Sequence, residues 1–270
     1  MAYTRFLVDI EAHIAQVSIN RPDKANALDG AGWDELGQIF TTLDADPAVR
    51  VIILSGEGKR FCAGADQQFL LQGVMYLNDD SPGHAREQLH SDILRLQGNI
   101  SAIENCRKPV LAAIHNACVG GAVDIISACD CRYATEDAFF SIAEIDLGIV
   151  ADLGTLQRLP KVMAPGLARE LAYTGRRLPA IEALRAGLVN QLFSDKEAMM
   201  AAVRAIAVQI ASKSPLAIRG SKQVLNYSRD HSVAAGLAQV AGWNAGMLLS
   251  QDLSEAFSAV MERRAPTYRD

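Results

Sequence analysis

Apolar residues near the start of the chain recur at strand spacing. Residues 6–10 form one such segment, and Ile14, Val17 and Ile19 mark a second that ends at the polar turn Asn20-Arg21-Pro22-Asp23-Lys24. The period then changes. Trp33, Leu36, Ile39, Phe40 and Leu43 recur at helical spacing behind Asp29, a residue suited to cap a helix N-terminus. Residues 49–54 are an uninterrupted apolar run of strand length, and such strands between helices point to a sheet covered on both faces. A glycine-containing loop and a polar stretch over residues 67–83, with no clear period, come next. Residues 86–106 read as helix, and Lys108-Pro109 introduces a third core strand at 110–114. Gly120-Gly121 opens a helix carrying Val123, Ile125, Ile126 and Ala128, and short strands are expected near 131–134 and 138–141. From about residue 195 the pattern becomes Ala-rich, amphipathic and helical, with Pro215 at the first position of a helix. The pattern predicts an α/β body over 1–195 and a helical region over 196–270. Tail helices with an apolar face and no sheet to cover are expected to pack on another subunit.

Composition narrows the function. The 270 residues are half hydrophobic, with a formal net charge of −5, as expected of a globular chain large enough to bury a sizeable core. An acidic chain without a basic stripe argues against a nucleic-acid partner, although helix N-termini can still hold an anionic ligand. The five cysteines (62, 106, 118, 129 and 131) include no CxxC pair and read as free thiols in a reducing compartment. No apolar run reaches the ~18 residues of a membrane span. The N-terminal residues run straight into strand-like sequence, and Thr267-Tyr268-Arg269-Asp270 is not a peroxisomal address. The expected location is the cytoplasm.

Common catalytic signatures are missing: no GxSxG, HExxH or GxxxxGK[ST] occurs, no GxGxxG follows a strand, and the histidines at 13, 84, 90, 115 and 231 lack metal-ligand spacing. No metal site is expected, and His115, directly after a core strand, reads as structural. Two glycine-containing turns remain, Phe61-Cys62-Ala63-Gly64-Ala65-Asp66 and Gly120-Gly121. Each lies between a strand and a helix, where unpaired N–H groups could converge on one oxygen; the glycines could equally serve tight turns alone. Three carboxylates weigh toward chemistry. Asp124 lies in the first turns of an apolar helix, Glu144 follows Phe139-Phe140-Ser141-Ile142, and Asp152 follows the apolar loop Leu147-Gly148-Ile149-Val150-Ala151. Acids among apolar residues are costly unless paired or protonated, and that cost tunes them for proton transfer. Taken singly, each could cap a helix or pair with a cation such as Arg132 or Arg158.

These residues resemble the crotonase, or enoyl-CoA hydratase/isomerase, superfamily along nearly the whole chain. The resemblance runs from Asn20-Arg21-Pro22-Asp23-Lys24-Ala25-Asn26-Ala27-Leu28 through the Phe61–Asp66 segment to Gly120-Gly121-Ala122-Val123-Asp124. Within it, Val123-Asp124-Ile125-Ile126, Glu144-Ile145-Asp146-Leu147-Gly148 and Ala151-Asp152-Leu153-Gly154-Thr155 are similar to the Δ3,5-Δ2,4-dienoyl-CoA isomerases. The resemblance implies a spiral of ββα turns with a C-terminal helical region that builds trimers or hexamers. It implies oxyanion-hole N–H groups at Ala65 and Gly121. Glu144 and Asp152 are then the proton-transferring pair, with Asp124 tuning Glu144, and the acyl-CoA lies along Lys24, Ala25, Ala27, Ala63 and Asp66. The family's hydratases carry Glu at the positions of Asp124 and Glu144 and glycine at that of Asp152. The implied reaction moves a proton from C2 of a 3,5-dienoyl-CoA to C6, with Asp152 preferred at C2 and Glu144 at C6, either order being open. It needs no cofactor, since coenzyme A is part of the substrate. The alternatives are an enoyl-CoA hydratase or other enoyl-CoA isomerase of the same superfamily, or a non-catalytic binder on this scaffold. Residues 67–83 are the expected walls of the acyl-chain pocket.

Overall fold

The computed structural model describes residues 3–74 and 81–270. Of the expected acyl-pocket segment, 75–80 lie outside the described residues. A hairpin of β1 (Phe6–Glu11) and β2 (Ile14–Ile19) opens the fold, with Phe6 opposite Ile19. The main sheet then grows by parallel addition of β3 (Val51–Gly56), β4 (Val110–Ile114), β6 (Cys131–Thr135) and β9 (Gln191–Phe193), in the order β1-β2-β3-β4-β6-β9. A second, smaller sheet contains β5 (Ala117–Val119), β7 (Phe139–Ser141) and β8 (Leu178–Pro179). Single parallel pairings, Leu28 with Ala65 and Cys62 with Cys118, continue that second layer toward the N-terminal part of the chain. Successive passages therefore lay one strand in the main sheet and one short segment beside it before a helix returns the chain. The result is a spiral of ββα turns.

Alternation along each strand assigns the two faces of the main sheet. Ala15, Val17, Ile19, Ile52, Leu54, Val110, Ala112 and Ile114 join one cluster with Trp33, Leu36, Ile39, Phe40 and Leu43 of α1 (Gly30–Ala45) and with Leu96, Ile100 and Ile103 of α3 (Pro82–Asn105). Ile14, Val51, Ile53, Leu111, Ala113 and Tyr133 point the other way and meet Met199, Val203, Ala207 and Ala211 of α8 (Lys196–Ala211). Both faces being covered explains why β3 is buried at all six positions. Each fully buried Ile or Leu contributes about 1.5–3 kcal/mol relative to exposure. The sequence pattern groups α8 with the tail, yet its buried residues, spaced four apart, complete the core.

Asp29 caps α1 by accepting from Gly32 N at 2.9 Å. Smaller helices fill the spiral: α2 (Gln67–Val74), α4 (Gly121–Ser127), α5 (Thr155–Val162), α6 (Pro165–Thr174) and α7 (Ala180–Arg185). The tail continues as α9 (Pro215–Arg229), α10 (Val233–Met247) and α11 (Gln251–Glu262), where Leu225, Leu237, Phe257 and Val260 are exposed. All five cysteines are free thiols. Among the described residues no helix is long and apolar enough to cross a membrane, and no cluster of His, Cys, Asp and Glu could hold a metal ion.

Candidate active site

One half of the site is main chain. Leu28 donates to Gly64 O (2.8 Å) and accepts from Asp66 N (2.9 Å). A residue that bonds both neighbours of Ala65 in a parallel pairing leaves Ala65's own N–H turned to the opposite side. That side faces the start of α4. A Cβ on Gly64, whose φ is +85°, would lie 2.5 Å from Val119 O and 3.1 Å from Gly121 N, so the two backbones touch in a way only glycine permits. Gly121 N begins α4 and has no intrahelical acceptor by position. Beneath it packs Trp33, whose Cη2 would meet a Cβ on Gly121 at 2.8 Å. Cys62 lies beside this turn, but burial pushes its thiol up to about 12 against the opposing Gly64 N–H, so it is no nucleophile.

Arg21 and Asn26 knit the loops that carry this half. Ala25 and Asn26 both adopt left-handed backbone, at φ 54° and 58°. The buried Asn26 amide donates to the carbonyls of Glu57, Arg60 and Phe61 at 2.7–3.1 Å, while its Oδ1 accepts from Arg21 N at 2.9 Å. Arg21 reaches Ala27 O (2.5 Å) and Asp66 Oδ2 (3.1 Å), and Ala63 N donates to Ala25 O (3.1 Å). Asp66 also accepts from Gln68 N at 2.9 Å, so its carboxylate serves the loop and the start of α2. Lys24 is exposed and Ala25, Ala27 and Ala63 are half-buried along the same edge. Sequence reasoning missed Arg21, Asn26 and Trp33 as supports. A buried amide inside a charged turn was the available signal for Asn26.

The other half is acidic. Asp124 is 1 % exposed on α4 and accepts from Thr155 N at 2.6 Å. Burial drives its carboxyl up to about 7; contacts with Thr155 oppose the rise, and the charges of Glu144 and Asp152 add to it. Glu144 rides a short 3₁₀ turn, Ala143–Leu147, that ends at left-handed Gly148. Its Oε1 lies 3.4 Å from where a Cβ on Gly120 would sit, which puts the carboxyl beside the Gly120–Gly121 turn. Its Oε2 is enclosed and has no hydrogen-bond partner among the described residues. Burial raises its pKa, and the charge of Asp152 raises it further. Asp152 is raised chiefly by the protein packed around its carboxyl, although the residue as a whole is exposed. The three acids thus lie within electrostatic reach of one another.

One expectation about their surroundings is corrected. The apolar loop before Asp152 does not enclose it: Leu147 is 62 % and Val150 70 % exposed, and only Ala151 is buried. Once the 3₁₀ turn ends at Gly148, the chain runs outward rather than into the core. Neither proposed cation pairs with the acids. Arg132 donates to the carbonyls of Ile126, Cys129 and Leu188, and Arg158 pairs with Glu104 at 3.0 Å. Cavities flank the acid loop. A polar one of about 310 Å³ is lined by Gln97, Ser101, Asp152 and Arg158, and an apolar one of about 400 Å³ by Ile142, Ile145, Ala151 and Leu156.

The chain belongs to the enoyl-CoA hydratase/isomerase family, whose sequence profile matches residues 9–270. It is 46 % identical over 255 residues to the mitochondrial Delta(3,5)-Delta(2,4)-dienoyl-CoA isomerase of Mus musculus, covering 94 % of this chain and 78 % of that one. With the peroxisomal Delta(3,5)-Delta(2,4)-dienoyl-CoA isomerase of Arabidopsis thaliana it shares 49 % identity over 259 residues, 96 % of this chain and 93 % of the relative. In three dimensions it is similar to an enoyl-CoA hydratase from Bacillus anthracis, with a TM-score of 0.89 and 32 % identity over 98 % of this chain and 99 % of that one. The crotonase-type spiral implied by the sequence is the fold observed.

Proposed function

We propose that the chain is a Δ3,5-Δ2,4-dienoyl-CoA isomerase that serves the breakdown of unsaturated fatty acids. The observation that carries this reading is Glu144. Its carboxyl lies beside the Gly120–Gly121 turn with Oε1 nearest, its Oε2 is enclosed and unpartnered among the described residues, and the group senses the charge of Asp152. Burial and the charge of Asp152 hold its carboxyl above the ordinary carboxylate range, against a hydrogen bond from its own N–H, and a carboxyl so raised is better matched to taking and giving a proton. The names of the dienoyl-CoA isomerase relatives support the same reaction.

The N–H groups of Ala65 and Gly121 hold the thioester oxygen and stabilise negative charge there as it develops. One of Glu144 and Asp152 removes a proton from C2. The electron pair left behind spreads through the carbonyl and the C3=C4–C5=C6 diene. The other acid, protonated, delivers its proton to C6, leaving double bonds at C2 and C4. Asp124 stays buried behind Glu144 and resists a second negative charge. Lys24, Ala25, Ala27, Ala63 and the loop braced by Asp66 border the coenzyme A portion. No further cofactor enters the chemistry.

A trimer or hexamer is part of the proposal, supported by the exposed apolar faces of α9–α11 and of Leu147 and Val150. So is a cytoplasmic location, supported by the five free thiols; the relatives cited above are named as mitochondrial or peroxisomal. The test supplies 3,5-dienoyl-CoA and 2-enoyl-CoA in parallel. Growth of the conjugated 2,4-dienoyl absorbance as the main activity supports isomerisation. Water addition to the 2-enoyl substrate with the higher kcat/KM assigns the chain to the hydratases instead.

A further inference from the structure

An exposed acid needs something to fix it, and α3 supplies the fixing groups. Gln97, Ser101 and Glu104 recur at helical spacing on one ridge of α3, next to the ridge of Leu96, Ile100 and Ile103 that enters the core. Gln97 Nε2 donates to the main-chain carbonyl of Asp152 at 2.6 Å. Glu104 Oε2 accepts from Arg158 Nη2 (3.0 Å) and Nε (3.2 Å), and its other oxygen is held by Arg229 from the end of α9. Ser101 Oγ lies 3.3 Å from Arg158 Nη2. The guanidinium so anchored lies against Gly154, where a Cβ would fall 1.8 Å from Arg158 Nη1, and Gly154 takes φ +128° to admit it. The next residue, Thr155, donates its N–H to Asp124. Four residues thus carry one proposed catalytic acid, two attachment points and the donor that holds a second acid.

We propose that Gln97 and the Glu104–Arg158 pair are positioning residues that set the Asp152–Thr155 main chain, and with it the register of Asp152 against Glu144 and Asp124. This rests on the reading of Asp152 as a proton-transferring acid. The ordinary supports of a loop are scarce here, since residues 145–150 are exposed. Misplacing a reacting group by about 1 Å can cost ~10²-fold in rate. A loop released from α3 therefore slows the proton step without altering the amides that grip the thioester. The ion pair also explains why Glu104 stays acidic: burial would raise its carboxyl, but hydrogen bonds from Arg158 and Arg229 and their charges hold it below the usual range.

The experiment compares Gln97→Met and Arg158→Lys with Asp152→Asn and the parent, using 3,5-dienoyl-CoA in D₂O. Rate, KM, and deuterium at C2 of recovered substrate relative to 2,4-dienoyl product are recorded. We expect Gln97→Met to lower kcat by about 10- to 100-fold with KM within about twofold. The exchange-to-product ratio should change severalfold, because only one of the two acids has moved. Arg158→Lys, which keeps the charge but loses the fork on Glu104, should give a smaller change in the same ratio. A merely structural role lowers the amount of active enzyme and leaves that ratio at the parental value, which overturns the proposal. If Gln97→Met does not fold, Gln97→Glu, which replaces the donor with a repelling carboxylate, is read by the same ratio. Full activity in Asp152→Asn sinks the site reading itself, whereas an inert Asp152→Asn beside parental Gln97 and Arg158 variants sinks only the positioning role.

Discussion

The two halves of the site are built on opposite plans. The Ala65–Gly121 half is backbone, buried at Gly64 and Gly121 and half-buried at Ala65, and cross-braced by Arg21, Asn26 and Trp33, with Gly64 and Gly121 packed where a Cβ does not fit. The Glu144–Asp152 half is side chain, carried on a short 3₁₀ turn and an exposed loop with few attachments. In the proposed reaction the backbone half grips a carbonyl, a grip that must not relax as charge develops and that suits groups unable to rotate. The acids act in the same proposed reaction as proton carriers that have to meet substrate, which suits their place at an edge, where burial and like charge tune them.

The contrast can be broken from either side. Glu144→Gln or Asp152→Asn should lower kcat by ~10²–10⁴-fold with little change in KM; steady-state kinetics that keep kcat within tenfold remove that residue from proton transfer. Gly64→Ala attacks the other half. Its Cβ meets Val119 O at 2.5 Å, a backbone atom that cannot swing away, so about 10²–10³-fold of rate should go with the proposed oxyanion hole. Unchanged kinetics in that variant would show that the two turns are not pressed together.

Asp124 links the halves, and its signature is in stability. With a folded pKa of about 7 against 3.8 for the ordinary carboxyl, the native state holds more protons than the unfolded one between those values. Stability therefore falls as pH rises through that window, by up to ~4 kcal/mol at pH 8. Asp124→Asn, which can still accept from Thr155 N, should lose that part of the slope; urea unfolding at pH 5 and pH 8 measures it. Equal slopes in parent and variant contradict a buried, protonatable Asp124. The smallest effect on chemistry is expected far from both halves. Val260→Asp, at a residue 77 % exposed on α11, should lower the sedimenting mass and leave unfolding of the single chain nearly unchanged.

Much of this was legible in the chain. The strand at 110–114 and the Asp29 cap stand where the apolar pattern and capping chemistry put them, because both follow from local periodicity. The three acids were legible as misfits in apolar sequence. Their surroundings were not: the outward course of the loop after Gly148 depends on a left-handed turn and on α3, some 50 residues away in sequence. Bonds such as Gln97 to Asp152 and Arg158 to Glu104, 55 and 54 residues apart, leave no periodic trace. The place of α8 in the core was hidden for a related reason. Its Ala207 and Ala211 suit any apolar surface, and only the odd-facing residues of β3 and β4 show which surface receives them.

The most direct measurement is the position of the incoming proton. Turnover of 3,5-dienoyl-CoA in D₂O, followed by magnetic resonance of the product, should place one deuteron at C6 of a 2,4-dienoyl thioester. A deuteron at C4 with a 2,5-dienoyl product, or a hydroxyl at C3, would mean that the two acids do not span the diene.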